Sequence, residues 1–354
     1  MALPSISIVF KTLASQGIQQ GQVGKVVLAL KDASVTTGVV EHRLFGITEI
    51  PTTLSTSNKD LIKLAFQGTP KEVGLVVIAE SAVYYTAALD YAESIRFNVF
   101  AIPGIVEADI ATVGTWVKDQ FDNKGKKFLA VLPSHEGDHP AIVNFDTDDI
   151  KVGETAYTVT QYSARIAGLL AGLPLTVAPT YQVLSDVTDI PRIKKADADT
   201  AIDEGKLILW HDGEKVKIAS GVTSYITVTG DRGEDWKKIK LVRIYNKIYD
   251  DIRTTIENFY IGRVQNSYAN KLSLVASIRS YFNELENQEI LDTGKNSIDI
   301  DVDAQRNYLN SIGTNTSGWT EGQIREANTR DKVFLQANIR ALDGMENFTI
   351  NIYT

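Results

Sequence analysis

The residues best suited to chemistry are two histidines and a glutamate in the stretch LPSHEGDHP, residues 132–140. His135, Glu136 and His139 have the His-Glu-x-x-His spacing of zinc hydrolases, in which both imidazoles bind the metal and the carboxylate takes a proton from the metal-bound water. This chemistry requires a helix, because residues four positions apart share a face in a helix and not in a loop.

The residues around this motif predict a loop. Pro133 and Pro140 enclose it, and Gly137 weakens a helix. Pro140 also disfavours helical dihedral angles at His139, the residue before it. The preceding run KFLAVL, residues 127–132, is typical of a buried strand. We therefore expect a solvated loop after a strand, and a zinc hydrolase at this loop remains the alternative from the enzyme class.

Other catalytic and cofactor motifs are missing from the sequence. There is no cysteine, so disulfides, thiolate metal sites and cysteine nucleophiles are excluded. The sequence has no P-loop, no G-x-G-x-x-G dinucleotide motif and no G-x-S-x-G nucleophile elbow. His42 and His211, the other histidines, lack the spacing of further metal ligands. We expect no enzyme activity and no cofactor.

An alternation of aspartates near the end of the chain has the spacing of a calcium loop. Asp299, Asp301 and Asp303 occupy alternate positions, but Ala304 stands where such a loop needs glycine and Asn310 where it needs glutamate. The pattern instead predicts a strand with solvated aspartates on one side. Its inward residues would be Ile298, Ile300 and Val302.

Composition indicates a globular protein of about two domains. The 354 residues are 44% hydrophobic and 23% charged, and the net charge is -8. A negative charge argues against nucleic acid or an anionic membrane as the main partner. The N-terminal sequence lacks the basic and apolar regions of a signal peptide. We expect no membrane insertion, because the most apolar stretch, residues 166–178, is too short to span a bilayer. Gly168 and Gly172 within it predict close packing of a buried helix.

The first half of the chain predicts a mostly parallel sheet, because short apolar runs alternate with amphipathic helical stretches. The apolar runs are residues 23–30, 73–79, 97–103 and 127–133, and the helical stretches are residues 83–95 and 107–122. An acidic segment at residues 144–150 marks a domain boundary. We therefore predict an α/β domain over residues 21–150.

The second half predicts a mixed, α+β domain. A hairpin is expected at residues 207–219, with Asp212-Gly213 as a two-residue turn. Helices are expected at residues 161–172, 234–262 and 267–289, and a strand in the run KVFLQANIRALDG.

Both ends of the chain have the alternation of an amphipathic strand. At the N-terminus the apolar residues alternate with Ser5, Ser7 and Val9, and at the C-terminus with Thr349, Asn351 and Tyr353. The apolar residues are Ile6, Ile8 and Phe10 in the first strand and Phe348, Ile350 and Ile352 in the second. Each strand either adds to a sheet edge of another molecule or folds back on its own chain. The second possibility describes a monomeric binding module with internally paired terminal strands.

Five segments together resemble the tail sheath proteins of contractile phages, and in particular the short sheaths of Gram-positive myophages and phage-tail-like bacteriocins. They are LPSISIVFK, ARIAGLLAGLPLTVAPTY, GKLILWHDGEKVKIASGVTSY, the long helical run from KKIKLVRIYNKIYDD to SIRSYFNELE, and DKVFLQANIRALDGMENFTINIY. The resemblance covers the C-terminal half and both ends, whereas residues 21–150 match less distinctively.

The resemblance implies a structural protein that polymerises helically in six-subunit rings around an inner tail tube. It implies contacts with baseplate and tail terminator proteins, and a contraction that drives the tube through a target cell envelope. Assembly would occur in the bacterial cytoplasm, before release of a phage tail or bacteriocin particle. Because the energy would be stored in subunit interfaces, no nucleotide is needed.

The implied fold is α/β in the outer domain and α+β overall, with extended β-strand arms at both termini. Its parts are an N-terminal arm and linker, an outer domain, a C-terminal sheath domain and a C-terminal arm, at residues 1–20, 21–150, 151–343 and 344–354. Both arms, Ser5 to Phe10 and Phe348 to Tyr353, would join the sheet of another subunit's C-terminal domain.

A short helix at residues 320–328 is a candidate for the tube-facing surface. Thr320 and Gln323 have the spacing of a capping box. Glu321, Arg325 and Glu326 would then pair with charges on the tube. The alternative is an ordinary solvated helix face.

Overall fold

The computed structural model describes residues 17–21 and 23–353. The predicted N-terminal arm strand, Ser5 to Phe10, lies outside the described residues. The described chain forms two compact units. The larger comprises Gly21–Asp250 with residues 341–353, and the smaller comprises Asp251–Arg340 with residues 17–20.

Within the described residues, a seven-stranded sheet forms the centre of the larger unit. The strands of this unit are β1 (Lys25–Asp32), β2 (Val39–Leu44), β3 (Glu72–Ala79), β4 (Val99–Ala101), β5 (Leu129–Pro133), β6 (Ile142–Phe145), β7 (Ile150–Val152), β8 (Thr155–Tyr157), β9 (Lys206–Leu207), β10 (Leu209–His211) and β11 (Val216–Ile218). The sheet order is β2-β3-β1-β4-β5-β6-β9, and every pair is parallel except β2 with β3. The predicted mostly parallel sheet is confirmed.

Helices cover both faces of this sheet, which explains why its central strands are continuous apolar runs. They are α1 (Thr56–Gln67), α2 (Thr86–Ala92), α3 (Glu107–Asp122), α4 (Val159–Gly172) and α5 (Lys195–Asp203). The two faces of β1 belong to different cores: Leu28 packs with residues of α1 and α4, and Val27 packs with residues of α2 and α3. A 3₁₀ helix (Glu234–Lys237) precedes α6 (Ile239–Phe259), which ends in the smaller unit.

The predicted close packing at Gly168 and Gly172 is confirmed by the contact of α4 with the end of α1. A Cβ atom placed on Gly168 would lie 2.0 Å from the carbonyl oxygen of Ala65, and one on Gly172 would lie 2.0 Å from that of Gly68. Gly68 is in equally close contact with α4, since a Cβ atom placed on it would lie 2.1 Å from the Leu169 nitrogen. The spacing therefore serves packing between two helices of one subunit.

Two local predictions need correction. The hairpin β10–β11 turns at Gly213-Glu214, one residue later than predicted, because the Asp212 side chain accepts hydrogen bonds from the amides of Glu214 and Lys215 and so closes the turn. The predicted boundary between residues 150 and 151 falls within the larger unit, inside β7.

The smaller unit combines helices with a two-stranded antiparallel sheet. Its elements are α7 (Tyr268–Asn287), β12 (Ser297–Ile300), α8 (Val302–Ser311), α9 (Glu321–Glu326) and β13 (Leu335–Asn338), with β12 paired to β13. The predicted strand through Val302 is too long, because Asp301 caps α8 by accepting a hydrogen bond from the Ala304 amide at 2.8 Å. Asp301 is therefore a helix cap and not one of three equivalent solvated aspartates.

Candidate assembly surfaces

The His-Glu-x-x-His segment lies in the loop between β5 and β6, as predicted. The expectation that this loop is solvated is wrong for His139, which is 4% exposed. Glu136 is exposed and His135 is half-buried. Packing against α3 from the same unit buries His139, and its ring meets that of Phe121 edge to face at 5.3 Å.

Both ring nitrogens of His139 are already bonded within the protein. Nδ1 accepts a hydrogen bond from the Ala141 amide at 3.1 Å, so the proton of the neutral ring is on Nε2, which donates to Oδ2 of Asp122 at 3.1 Å. Burial lowers the pKa of His139 to about 4, although Asp122 acts in the opposite direction. The ring is therefore neutral at pH 7. Arg232 pairs with the same carboxylate.

The two histidines lie beside different parts of α3. A Cβ atom on Gly114 would lie 2.3 Å from Nε2 of His135, whereas His139 bonds to Asp122. Eight residues of helix separate Gly114 from Asp122, about 12 Å along the axis. The two imidazoles therefore do not converge on one metal. In the described part of the chain, no group of three His, Cys, Asp or Glu side chains is arranged to hold a metal ion.

Ser224 completes a cluster that sequence reasoning missed. Its hydroxyl donates to the His139 carbonyl at 3.1 Å and accepts from the His139 amide at 3.2 Å. Because the hydroxyl bonds to the main chain and not to the imidazole, Ser224, His139 and Asp122 do not form a nucleophilic triad. The cluster holds the β5–β6 loop against its neighbours. Ser224 and His139 are 85 residues apart, and no local pattern indicates their contact.

The C-terminal segment presents its apolar side chains to solvent. The described residues 342–353 form no helix or strand. Phe348, Ile350 and Ile352 are 72%, 79% and 82% exposed. In the described structure these residues therefore pair with no strand of their own subunit, although their alternation is that of a strand with one buried face.

Side chains of the larger unit hold the root of this segment. Thr180 donates to Oε1 of Glu346 at 2.5 Å, and the ammonium group of Lys238 pairs with Oε2. Lys238 also lies 3.9 Å from the carboxylate of Asp343. The carboxylate of Glu346 thus fixes where the exposed segment departs from the rest of the larger unit.

The sheet of the smaller unit has one apolar and one polar face. Ile298 pairs with Ala337 and Ile300 with Leu335, so these four side chains share a face, which packs on α7 through β12. The opposite face carries the side chains that alternate with them. These are Ser297, Asp299, Gln336 and Asn338.

The two edges of this sheet differ in hydrogen bonding. The Asp301 amide donates to the Phe334 carbonyl, so Asp301 and Phe334 form a hydrogen-bonded pair of the ladder. Such pairs alternate with non-hydrogen-bonded pairs in an antiparallel sheet, so the main-chain groups of Leu335 and Ala337 point away from β12. Those groups have no hydrogen bond to any described residue. Gln336, Ala337 and Asn338 are exposed, so β13 presents an open edge.

The outer edge of β12 is covered. Arg279 donates from Nη2 to the Ile298 carbonyl at 3.0 Å, and the Ile300 amide donates to Oδ1 of Asp299 at 2.7 Å. Arg325 holds Asp299 through two hydrogen bonds. Ile298 and Ile300 are 4% and 3% exposed, so their main chain is hidden from solvent.

The candidate tube-facing helix is α9, and its capping box forms between Thr320 and Gln323. Glu321 and Glu326 are exposed, but Arg325 is half-buried and paired with Asp299. The sequence pattern predicted that Glu321, Arg325 and Glu326 lie on one surface, and it did not indicate the ion pair of Arg325 with Asp299. Asp299 and Arg325 are 26 residues apart and meet through the fold.

Buried polar groups fix the C-terminal end of α9. Gln305, which is fully buried, donates to the carbonyls of Ile324 and Arg325. The ammonium group of Lys271 lies 2.9 Å from Oγ1 of Thr329 and 3.2 Å from Oε1 of Gln305. Burial lowers the pKa of Lys271. These contacts position Arg325 to reach β12.

None of the helices in the described residues combines the length and apolar content that a membrane span requires.

Two family models match this chain. The model for the phage tail sheath protein central domain matches residues 80–224, and the model for the phage tail sheath C-terminal domain matches residues 231–354. The smaller unit, with its two-stranded sheet, lies within the second match apart from residues 17–20.

Similar proteins agree with these matches. The chain is 33% identical over 358 residues to the tail sheath protein of Clostridium phage phiCD119, covering 99% of each chain. Its fold is similar to that of the sheath tail protein from Desulfitobacterium hafniense, with a TM-score of 0.72 at 17% identity, covering 84% of this chain and 94% of the other. It is also similar to the helical sheath of the anti-feeding prophage in the contracted state, with a TM-score of 0.75 at 15% identity, covering 100% and 99%. The chain therefore belongs to the phage tail sheath protein family and is a structural subunit of a contractile sheath.

Proposed function

We propose that this subunit polymerises by donating its terminal arms to the sheets of neighbouring copies. The observation that carries the proposal is the exposed alternation of Phe348, Ile350 and Ile352 in a segment without a partner strand among the described residues. An extended segment of this kind gains main-chain hydrogen bonds and buries its apolar side when it adds to a sheet edge. The N-terminal residues Ser5 to Phe10 have the same alternation and the same proposed role.

The acceptor is the sheet of the smaller unit, at the edge of β13. The free main-chain groups of Leu335 and Ala337 supply the hydrogen bonds. An arm that adds there continues the two faces of the sheet, with its isoleucines beside Leu335 and Ala337 and its polar residues beside Gln336. Because the donor and acceptor surfaces differ, the contact is head-to-tail and generates rings or filaments.

The proposed assembly is a stack of six-subunit rings around an inner tail tube, in contact with baseplate and tail terminator proteins. Contraction is a change between two packings of the same subunit, with the energy stored in the interfaces. No nucleotide and no catalytic site take part. Assembly in the bacterial cytoplasm, before release of the particle, is part of this proposal.

The tube-facing surface is proposed to include α9. Glu321 and Glu326 are exposed and available to pair with basic groups on a tube. Arg325 contributes less, because its guanidinium is already paired with Asp299. An exposed ion pair of this kind stabilises a contact by less than about 1 kcal/mol.

Negative-stain electron microscopy of the full chain beside a chain lacking residues 345–354 tests the proposal. Hollow striated tubes from the full chain, and none from the truncated chain, are expected. Both chains are also produced together with their tube protein, so that a need for nucleation does not hide assembly. Monomers from the full chain under all these conditions would favour the monomeric binding module and contradict the proposal.

A further inference from the structure

We propose that Arg279, Asp299 and Arg325 form an edge guard that prevents strand addition to β12 in the free subunit. The guard leaves β13 as the open edge of the sheet in the described structure. This inference rests on the proposed function, because it concerns which edge receives an arm. It identifies residues that determine the specificity of assembly.

The guard occupies the groups that an added strand needs. A new strand beside β12 would bond to the outward main-chain groups of Ile298 and Ile300. Arg279 already holds the carbonyl of Ile298, and Asp299 already holds the amide of Ile300. Strand addition at β12 therefore requires these two bonds to break first.

Arg325 makes the guard harder to displace. Its Nη1 and Nη2 atoms bond to the two carboxylate oxygens of Asp299 at 2.7 and 2.6 Å. A bidentate pair fixes the orientation of a carboxylate more firmly than a single contact does. Gln305 and Lys271 in turn fix the end of α9 that carries Arg325. A buried polar network therefore fixes the helix end that carries Arg325, whereas Arg279 is exposed and the Asp299 side chain is 49% exposed.

A guard is useful because the sheet would otherwise present two acceptor edges. Open edges lead to uncontrolled pairing, and proteins commonly protect them with charged side chains. With β12 closed, the first arm to arrive can add only at β13, so the guard sets the order in which the edges of this sheet are filled.

Cysteine cross-linking between full-length chains tests the guard, since the chain has no cysteine of its own. One chain carries a cysteine in the arm, at Thr349, Asn351 or Tyr353. The other carries Gln336→Cys in β13 or Ser297→Cys in β12, both exposed and on the polar face of the sheet. The three arm positions and a short bifunctional thiol reagent allow for different registers. The arm is expected to cross-link to position 336 and at least tenfold less to position 297.

Removing the guard is expected to open the second edge. Arg279→Ala combined with Asp299→Ala should raise cross-linking at position 297 to the level seen at position 336. A matched control, Arg306→Ala with Asp303→Ala, removes the same charges from α8 and should change neither yield. Circular dichroism confirms folding, and Arg325→Gln provides a second variant that removes only the support of Asp299.

The outcomes separate the guard from the proposed function. Equal cross-linking at both positions in the parent chain would overturn the guard, as would an unchanged yield at position 297 in both guard variants. Absence of cross-links at both positions, under conditions in which tubes form, would contradict strand addition itself.

Discussion

Arg325 and Asp299 face each other with two parallel hydrogen bonds, Nη1 to Oδ1 at 2.7 Å and Nη2 to Oδ2 at 2.6 Å. The pair joins α9 to β12 across 26 residues of sequence. The hydrogen bonds that Arg325 donates are the main reason that the pKa of Asp299 lies below its usual value. This pair links the helix proposed to face the tube with the sheet proposed to receive the arms.

Replacing Arg325 by lysine tests whether geometry or charge holds Asp299. A lysine keeps the charge but lacks the planar fork, so the carboxylate should become mobile. We expect faster hydrogen exchange at the Ile300 amide, with a change in global stability below about 1 kcal/mol because the pair is partly exposed. Exchange at Ile300 is measured by NMR beside Arg306→Lys. Equal protection of Ile300 in both variants would show that charge alone is sufficient.

The same pair predicts a dependence on pH. Because the folded pKa of Asp299 is lowered, its contribution is present at neutral pH and is lost as pH falls through that pKa. Protection of the Ile300 amide should therefore decrease in acid in the parent chain. The Arg325→Gln variant, whose protection is already reduced, should show a smaller decrease over the same range.

Close contact between α1 and α4 predicts that alanine is not tolerated at Gly168 or Gly172. An added methyl group would overlap the main chain of the other helix, which no side-chain rotation relieves. We expect each substitution to lower the free energy of unfolding by about 3 kcal/mol. Urea denaturation measures the loss. Gly46→Ala is the control, because Gly46 is extended and an added Cβ would have no heavy atom closer than 4.0 Å.

His139 predicts that acid destabilises the larger unit. Its folded pKa of about 4 is below the ordinary value of 6.5, so the unfolded chain binds the extra proton first as pH falls. Stability should therefore decrease between pH 6.5 and 4, by about 3 kcal/mol in total. Urea midpoints measured across this range give the slope of stability against pH. His139→Gln, which cannot become protonated, should flatten it, whereas an unchanged slope would assign the effect to other groups.

The contacts of Glu346 with Thr180 and Lys238 predict that this residue anchors the root of the C-terminal arm. Glu346→Ala removes the acceptor for Thr180 and Lys238, so exchange of the amides near Gly344 should become faster while the fold is retained. Assembly should weaken, because a less ordered root raises the entropy lost when the arm binds. Hydrogen exchange and tube yield are measured beside Asn347→Ala. Unchanged exchange near Gly344 in Glu346→Ala would show that other contacts fix the root.

The sequence predicts most of the parallel sheet, because strands buried on both faces must be continuous apolar runs. The α3 prediction at residues 107–122 is confirmed to the residue, since its amphipathic period persists over four turns. The burial of His139 was not predictable, because it depends on Asp122 and Ser224 approaching from other elements. The pairing of Asp299 with Arg325 is hidden for the same reason. Local patterns indicate which face of an element is apolar, and not which distant side chain meets it.

The C-terminal arm predicts that substitutions at two neighbouring residues have very different effects on tube formation. If the arm joins β13 as a strand, Ile350 enters the apolar face and Thr349 remains on the polar face. Ile350→Asn should therefore abolish tubes, whereas Thr349→Asn should reduce their yield by less than about twofold, because a polar residue at an exposed strand position changes stability little. Both side chains are exposed in the free subunit, so neither substitution should alter its unfolding midpoint. Electron microscopy and urea denaturation of both variants measure these effects. Equal loss of tubes in the two variants would mean that the arm binds without the alternation of a strand.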